Sequence, residues 1–189
     1  FTDALGSYAI TAVSTPGAQP TDADSGPTQS GEQRTGTIDA GDLDVYTING
    51  TAGGSLVALI AETSTTAAAF GFLILTPSGA VLENTNGAVG VSSMKNALAA
   101  TGVYTVVVYE TGGNDFGGYA LTVASIPATP ITDADSAVLT SGVRRTGSLG
   151  IGDLDIYTIN ATANGSILVS SSETVTTTWQ VQEPEGFVG

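Results

Sequence analysis

Four pairs of aspartates, each pair split by a single residue, are the chemistry-bearing feature of this sequence: Asp22 and Asp24, Asp42 and Asp44, Asp133 and Asp135, Asp153 and Asp155. Residues two apart in an extended chain project from one face, so each pair offers two carboxylates to a common point. Hard cations take several oxygen ligands from carboxylates and carbonyls, and clustered Asp serves that need. All eight residues are therefore candidate calcium ligands. An ion held between an entry segment and the body that follows would fix the angle between them. The competing structural reading has Asp42 capping the turn after Gly41 and Asp44 accepting backbone N–H groups at the start of a strand. Asp39 aligns with Gly150 in the repeat described below and is a poorer candidate.

Other chemistry is poorly supplied. The chain has no His and no Cys, and Lys95 is its single lysine. Acyl transfer needs a base beside the nucleophile, so no triad can be assembled. Carboxylate pairs serve glycoside hydrolysis, but such sites are walled with aromatic platforms, and Trp179 is the sole Trp. The expectation is a protein that is not an enzyme. Lys plus Arg number 4 against 18 Asp plus Glu, a net charge of −14. Nucleic-acid binding rests on cationic phosphate contacts and is excluded as a function class on that ground. An anionic membrane surface is disfavoured for the same reason, and no apolar run is long enough to be inserted across a bilayer. Arg34 and Arg145, rare cations at matching positions, are expected to pair with a nearby Asp.

The elements that must position the aspartates come in copies. "GDLDVYTING" at 41–50 returns as "GDLDIYTINA" at 152–161, and "TDADS" at 21–25 returns at 132–136, an offset of 111 residues. "RTG" at 34–36 returns at 145–147, and "SYAITAVSTP" at 7–16 lines up with "GYALTVASIP" at 118–127. A period this long is the size of a small domain plus linker. Residues 1–16 read as the last strand of a preceding repeat plus a linker, 17–127 as a complete repeat, and 128–189 as the first part of a following one. Within each repeat, short β-branched runs are split by Gly, Asn, Asp and Pro. Strands are expected at 7–13, 33–38, 43–49, 55–62, 70–76, 79–83, 103–109 and 118–124, then at 144–149, 154–160, 166–172 and 178–182. Residues 93–100 read as an irregular strand or loop, and 111–118 as the loop of a hairpin. "STPGAQP" at 14–20 and "SIPATPI" at 125–131 read as stiff linkers, because Pro blocks ladder hydrogen bonds. The fold class expected is all-β, in tandem jelly-roll-like β-sandwich repeats.

The pattern Gly-Asp-x-Asp-x-Tyr-x-Ile, followed by "GSLVALIAE" at 54–62, "PSGAVL" at 77–82, "ATGVYTVVVYE" at 100–110 and "GGYALTV" at 117–123, resembles the bacterial pre-peptidase C-terminal domain. The resemblance spans 34–124, part of 145–189 and the strand at 7–13. It implies a non-catalytic β-sandwich of secreted bacterial or archaeal proteins, one that accompanies peptidases or recurs in tandem in surface proteins. Some members bind calcium, and some bind collagen or other polymers.

Three functions stand open on the sequence. The first is an extracellular structural repeat, a spacer, stalk or fibre element whose partners are neighbouring repeats. The second is a self-assembling filament subunit in which the strand at 7–13 of one copy completes residues 132–189 of the next. The third is an adhesive module for collagen, glycan or another extracellular polymer.

Overall fold

Alternation of inward and outward side chains governs the complete body of this protein. In the computed structural model, residues 7–16, 22–66, 68–87, 90–95, 97–127 and 131–172 are described. Eleven strands occur among them: β1 (Gly26–Pro27), β2 (Gln33–Ile38), β3 (Asp44–Gly50), β4 (Ser55–Glu62), β5 (Phe70–Leu75), β6 (Val81–Asn86), β7 (Gly90–Lys95), β8 (Gly102–Glu110), β9 (Gly117–Ile126), β10 (Ala137–Leu139) and β11 (Tyr157–Ile159). No helix is found among the described residues, so none long and apolar enough to cross a membrane is present there.

Two sheets face each other. One runs β1-β3-β8-β5-β6 and the other β2-β9-β4-β7. Every pairing is antiparallel except β1 with β3, where Gly26 faces Tyr46 and Pro27 faces Thr47. Tyr46, Ile48, Phe72, Ile74, Tyr104, Val106 and Val108 from the first sheet meet Ile38, Leu56, Ile60, Tyr119, Leu121 and Val123 from the second in one core. Burial of each such large side chain contributes about 1.5–3 kcal/mol. Residues between these on the first sheet point the other way, and Val45, Leu75 and Val107 form a second apolar cluster on its outer face.

Several expectations meet the structure directly. β2 and β4 span the expected residues, and β8 lies centrally between β3 and β5, as a strand apolar on both faces should. Only the first three residues of the stretch 93–100 are strand, the end of β7, which pairs with β4; 97–100 are irregular. The two-residue β1 was not foreseen, because Pro27 argues against a strand and a single short parallel pairing leaves no periodic trace. The expected hairpin across 111–118 is not one. β8 and β9 belong to opposite sheets, so this loop crosses between layers. Glu110 organises the crossing: its carboxylate accepts hydrogen bonds from the backbone of Gly112 (2.8 Å), Asn114 (3.2 Å) and Asp115 (3.4 Å). Burial works to raise this carboxyl, and those N–H groups outweigh it and hold it low.

The flanking segments differ from their expected state. Residues 7–13 make no ladder; Tyr8 is 89% exposed and Ile10 83%. Beyond residue 131, the described strands are β10 and β11, which pair in parallel with each other, and 144–149 and 166–172 are not strands. The physical reason is the missing partner. β2 and β4 both pair with β9, and β3 pairs with β8. The described residues after 131 include no counterpart of either. The strand expected at 178–182 lies outside the described residues.

Candidate cation site and the buried tyrosine–aspartate cluster

Two glycines repeated in the sequence make room for the site. A Cβ on Gly36 would collide with the hydroxyl of Tyr119, and one on Gly147 would lie 2.8 Å from Asp155 Oδ2 and 2.9 Å from the Tyr157 hydroxyl. The glycine of "RTG" is thus the gap over which the tyrosine and aspartate groups lie. In the complete body, Asp44 faces the core from β3, opposite Val108, and has no exposed surface. Its Oδ2 accepts a hydrogen bond from the Tyr119 hydroxyl, which stands 2.6 Å from that of Tyr46. Both tyrosines are fully buried, so a continuous polar line joins the two sheets inside an apolar core. Asp44 Oδ1 is buried and, among the described residues, accepts from no N–H or hydroxyl donor.

The electrostatics follow from this burial. Desolvation pushes the Asp44 carboxyl up to about 8; the Tyr119 hydrogen bond opposes it, and the Asp22 and Asp42 carboxylates add to it. Burial pushes Tyr46 up to about 12 and raises Tyr119 further still. Asp22 moves down instead, first through its hydrogen-bonding relation to Asp44 and then through Ser25 and the backbone of Asp24. Asp22 and Asp44 are therefore coupled, one carboxyl shifted down and the other up.

The second Asp-rich segment rebuilds these surroundings. Asp24 Oδ2 accepts from Thr37 N at 3.0 Å, and Asp135 Oδ2 from Ser148 N at 2.8 Å. Asp42 Oδ1 accepts from Leu43 N at 2.8 Å, and Asp153 Oδ1 from Leu154 N at 2.9 Å. Ser25 Oγ accepts from Val45 N and Ser136 Oγ from Ile156 N, each at 2.7 Å. Asp22 Oδ2 takes Asp24 N at 3.3 Å, and Asp133 Oδ2 takes Asp135 N at 3.2 Å and Ser136 N at 2.7 Å. Among the described residues, Asp155 Oδ1, like Asp44 Oδ1, is buried without a donor, while its Oδ2 accepts a long bond from the Tyr157 hydroxyl, 3.4 Å. Burial raises the Asp155 carboxyl, and the charges of Asp133, Asp153 and Asp135 raise it further.

The structure thus divides the eight aspartates. Asp133, Asp153 and Asp155 each bring a carboxylate oxygen within 4.8 Å of the others, a spacing at which one cation could be shared. Asp22 and Asp44 are coupled, with Asp42 acting on Asp44 by charge. Asp24 and Asp135 are spent mainly on tying the following segment to the entry loop. Oxygen-only donors and an orphaned buried oxygen suit calcium, which would be held by Asp133, Asp153 and Asp155. The expected backbone contacts of Asp44 are absent among the described residues; a tyrosine hydroxyl takes that place. Arg34 pairs with Glu32 at 3.6 Å rather than with an aspartate, and its guanidinium lies 5.6 Å from the centre of the Tyr46 ring.

Sequence reasoning missed Tyr119. It stands 73 residues from Tyr46 and 75 from Asp44, in the opposite sheet. The available signal was the recurrence of Tyr8 as Tyr119 and of Tyr46 as Tyr157.

No protein-family model matches the chain, and no curated protein matches it. Among solved structures, it is similar to PliG of Aeromonas hydrophila, a periplasmic inhibitor of g-type lysozyme, at 20% identity and a TM-score of 0.43 over 53% of this chain and 96% of that one. It is also similar to the pre-peptidase C-terminal domain of a Bacillus anthracis collagenase, at 18% identity and a TM-score of 0.42 over 57% of this chain and 99% of that one. A third likeness is the Yersinia pseudotuberculosis-derived mitogen, at 16% identity and a TM-score of 0.36 over 54% of this chain and 91% of that one. At these identities the likeness concerns fold and carries nothing about activity.

Proposed function

We propose that this chain is a non-catalytic structural element of a secreted or cell-surface prokaryotic protein, a spacer in which like β-sandwich units follow one another. One observation carries the reading: the same joint occurs twice. A Cβ on Gly41 would lie 3.2 Å from Ala9 Cβ, and one on Gly152 would lie 2.7 Å from Ala120 Cβ. Gly41 and Gly152 match in the repeat, as do Ala9 and Ala120. Val13 packs on the outer cluster of Val45, Leu75 and Val107, and the Thr122 hydroxyl donates to Gly152 O at 2.7 Å. Thr132 N donates to Ser30 O at 2.8 Å, and Gln33 Nε2 to Ile151 O at 3.1 Å, which ties the second segment to the complete body. Joints made from the same residues at a fixed interval give a regular rise along a chain.

The remaining chemistry supports a structural role. Asp44 is sealed from solvent, Glu110 is committed to backbone N–H groups, and Lys95 is paired with Glu83. Small-angle scattering tests the reading. An elongated particle is expected; a globule in which the two segments fold back on each other would reject it.

Calcium is a second element of the proposal, favoured by the orphaned Oδ1 atom of Asp155 within the cluster of Asp133, Asp153 and Asp155. The ion would sit where the entry loop meets the strand start and stiffen the unit there. Calorimetric titration with calcium tests it, and heat no larger than that of dilution would reject it.

A further inference from the structure

We propose that Asn49 is an attachment point for an N-linked glycan, repeated at Asn160, so that each unit carries one sugar chain beside its joint. The inference rests on reading the chain as part of a secreted or cell-surface protein, and it adds a covalent modification to that reading.

Asn49-Gly50-Thr51 has the acceptor pattern Asn-x-Ser/Thr, and Asn160-Ala161-Thr162 repeats it at the same place in the second copy. The middle residue differs between the copies, while the asparagine and the hydroxyl residue return. Packing accounts for the middle residue in the complete body: a Cβ on Gly50 would lie 2.7 Å from Tyr104 Cε2 and 3.0 Å from Leu98 Cδ1. It does not account for the other two, which are exposed on either side of that buried glycine. Other groups hold the corner after β3. Gly54 N donates to Thr51 O at 2.9 Å, Gly53 N to Leu98 O at 2.8 Å, and Ala52 N to the Thr101 hydroxyl at 2.9 Å. The Asn49 amide and the Thr51 hydroxyl enter none of these bonds. Asn164-Gly165-Ser166 also fits the triplet, but Gly53 stands at that place in the complete body, so the pattern does not recur there.

The place on the sheet suits a sugar. Val45, Thr47 and Asn49 alternate onto the outer face of β3, where Val45 belongs to the cluster on which Val13 packs. Asn49 stays exposed with that segment in place. Its partner across the ladder is Val103, 51% exposed. Side chains so opposed stand about 4.5–5.5 Å apart at Cβ. A first sugar on Asn49 therefore covers an apolar side chain that the sheet leaves open.

The reaction is a glycosyl transfer from an oligosaccharide carried on a lipid phosphate, catalysed by a transferase of the producing cell. Asn49 Nδ2 attacks the anomeric carbon and an N–C bond forms. The bond from that carbon to the phosphate oxygen breaks, and the lipid phosphate leaves with the electron pair. One amide proton passes to a base of the transferase, and nothing is oxidised or reduced.

Peptide mapping by mass spectrometry tests this on the protein taken from the cells that make it, after cytoplasmic and extracellular material are separated. The peptide spanning 49–51 is expected to carry a mass built of sugar residues and to release sugar ions on fragmentation, as is the peptide spanning 160–162. Thr51→Ala, at an exposed hydroxyl, should abolish the sugar on Asn49 and leave that on Asn160. Thr51→Ser should keep both. An unmodified Asn49 in the parent, or a sugar on Asn49 that survives Thr51→Ala, overturns the inference. Fractionation separates it from the reading beneath it. An extracellular chain bare at Asn49 leaves the spacer proposal standing, whereas a chain confined to the cytoplasm overturns both.

Discussion

The hydroxyl of Tyr119, on the middle of one sheet, donates to the carboxyl of Asp44, on the core face of the other. A polar bond across an apolar interior is costly to leave half made, because the remaining partner stays desolvated. Tyr119→Phe removes the hydroxyl that donates to Asp44 Oδ2 and leaves that buried oxygen without its donor. A loss of about 1–3 kcal/mol is expected, read as a lower midpoint in urea unfolding. A midpoint equal to that of the parent would show that the bond does not contribute.

The same burial sets a pH dependence. Asp44 is held near 8 in the folded chain against an ordinary value of 3.8. A raised folded value means the folded state binds the proton more tightly. Its contribution is therefore complete below 3.8 and is lost as pH rises toward 8. Asp22, shifted down, contributes in the opposite sense: its share is present above its unfolded value and is lost in acid. In metal-free buffer the melting temperature should fall from mildly acidic pH to about 8. Asp44→Asn should flatten that slope. A parent curve flat over the whole range would contradict the assignment.

Calcium should reverse part of this trend. Metal ligands must be deprotonated, so protons compete with the ion at a carboxyl shifted upward by burial and neighbouring charge, such as Asp155. Its affinity should therefore weaken as pH falls. At a free concentration a hundred times the dissociation constant, binding adds about 2.7 kcal/mol of stability. The melting temperature should rise with calcium, drop with chelator, and respond to neither in Asp155→Asn. Melting indifferent to both in the parent chain would end the proposal.

The joint can be loosened at one atom. Gly41 has φ of 79°, and a Cβ there would lie 3.2 Å from Ala9 Cβ, so Ala9 would have to give way slightly. Gly41→Ala meets the left-handed cost of about 1–2 kcal/mol together with that crowding. Faster proteolysis or hydrogen exchange at residues 7–16 is expected, with β3 and β8 still protected. Protection at 7–16 unchanged from the parent would show that the contact holds nothing in place.

The strands were legible as short β-branched runs split by turn residues, and β2 and β4 span the runs so marked. In β3 the two-residue spacing also puts Tyr46 and Ile48 on the core face with Asp44, whereas 55–62 and 102–110 are apolar on both faces and do not say which side is the core. Pairing was not legible. Nothing in 111–118 distinguishes a turn within a sheet from a crossing between sheets, and that choice depends on β3 and β4 elsewhere in the chain. Nor does 144–149 reveal that its ladder requires a β9. For the site, recurrence exposed the aspartates and their entry loops, because local hydrogen bonds such as Asp24 to Thr37 span few residues. Tyr119 was hidden by distance along the chain, and the burial that orphans Asp44 Oδ1 arises only once both sheets close.

β9 is occupied on both sides: Tyr119, Leu121 and Val123 enter one core, while Ala120 and Thr122 meet Gly152 of the segment beyond. Such a strand is a party wall. Melting the first unit strips the cladding from the second, so heat or tension should be felt by neighbours together and not by each bead alone. A calorimetric transition wider in cooperativity than one sandwich would be its signature.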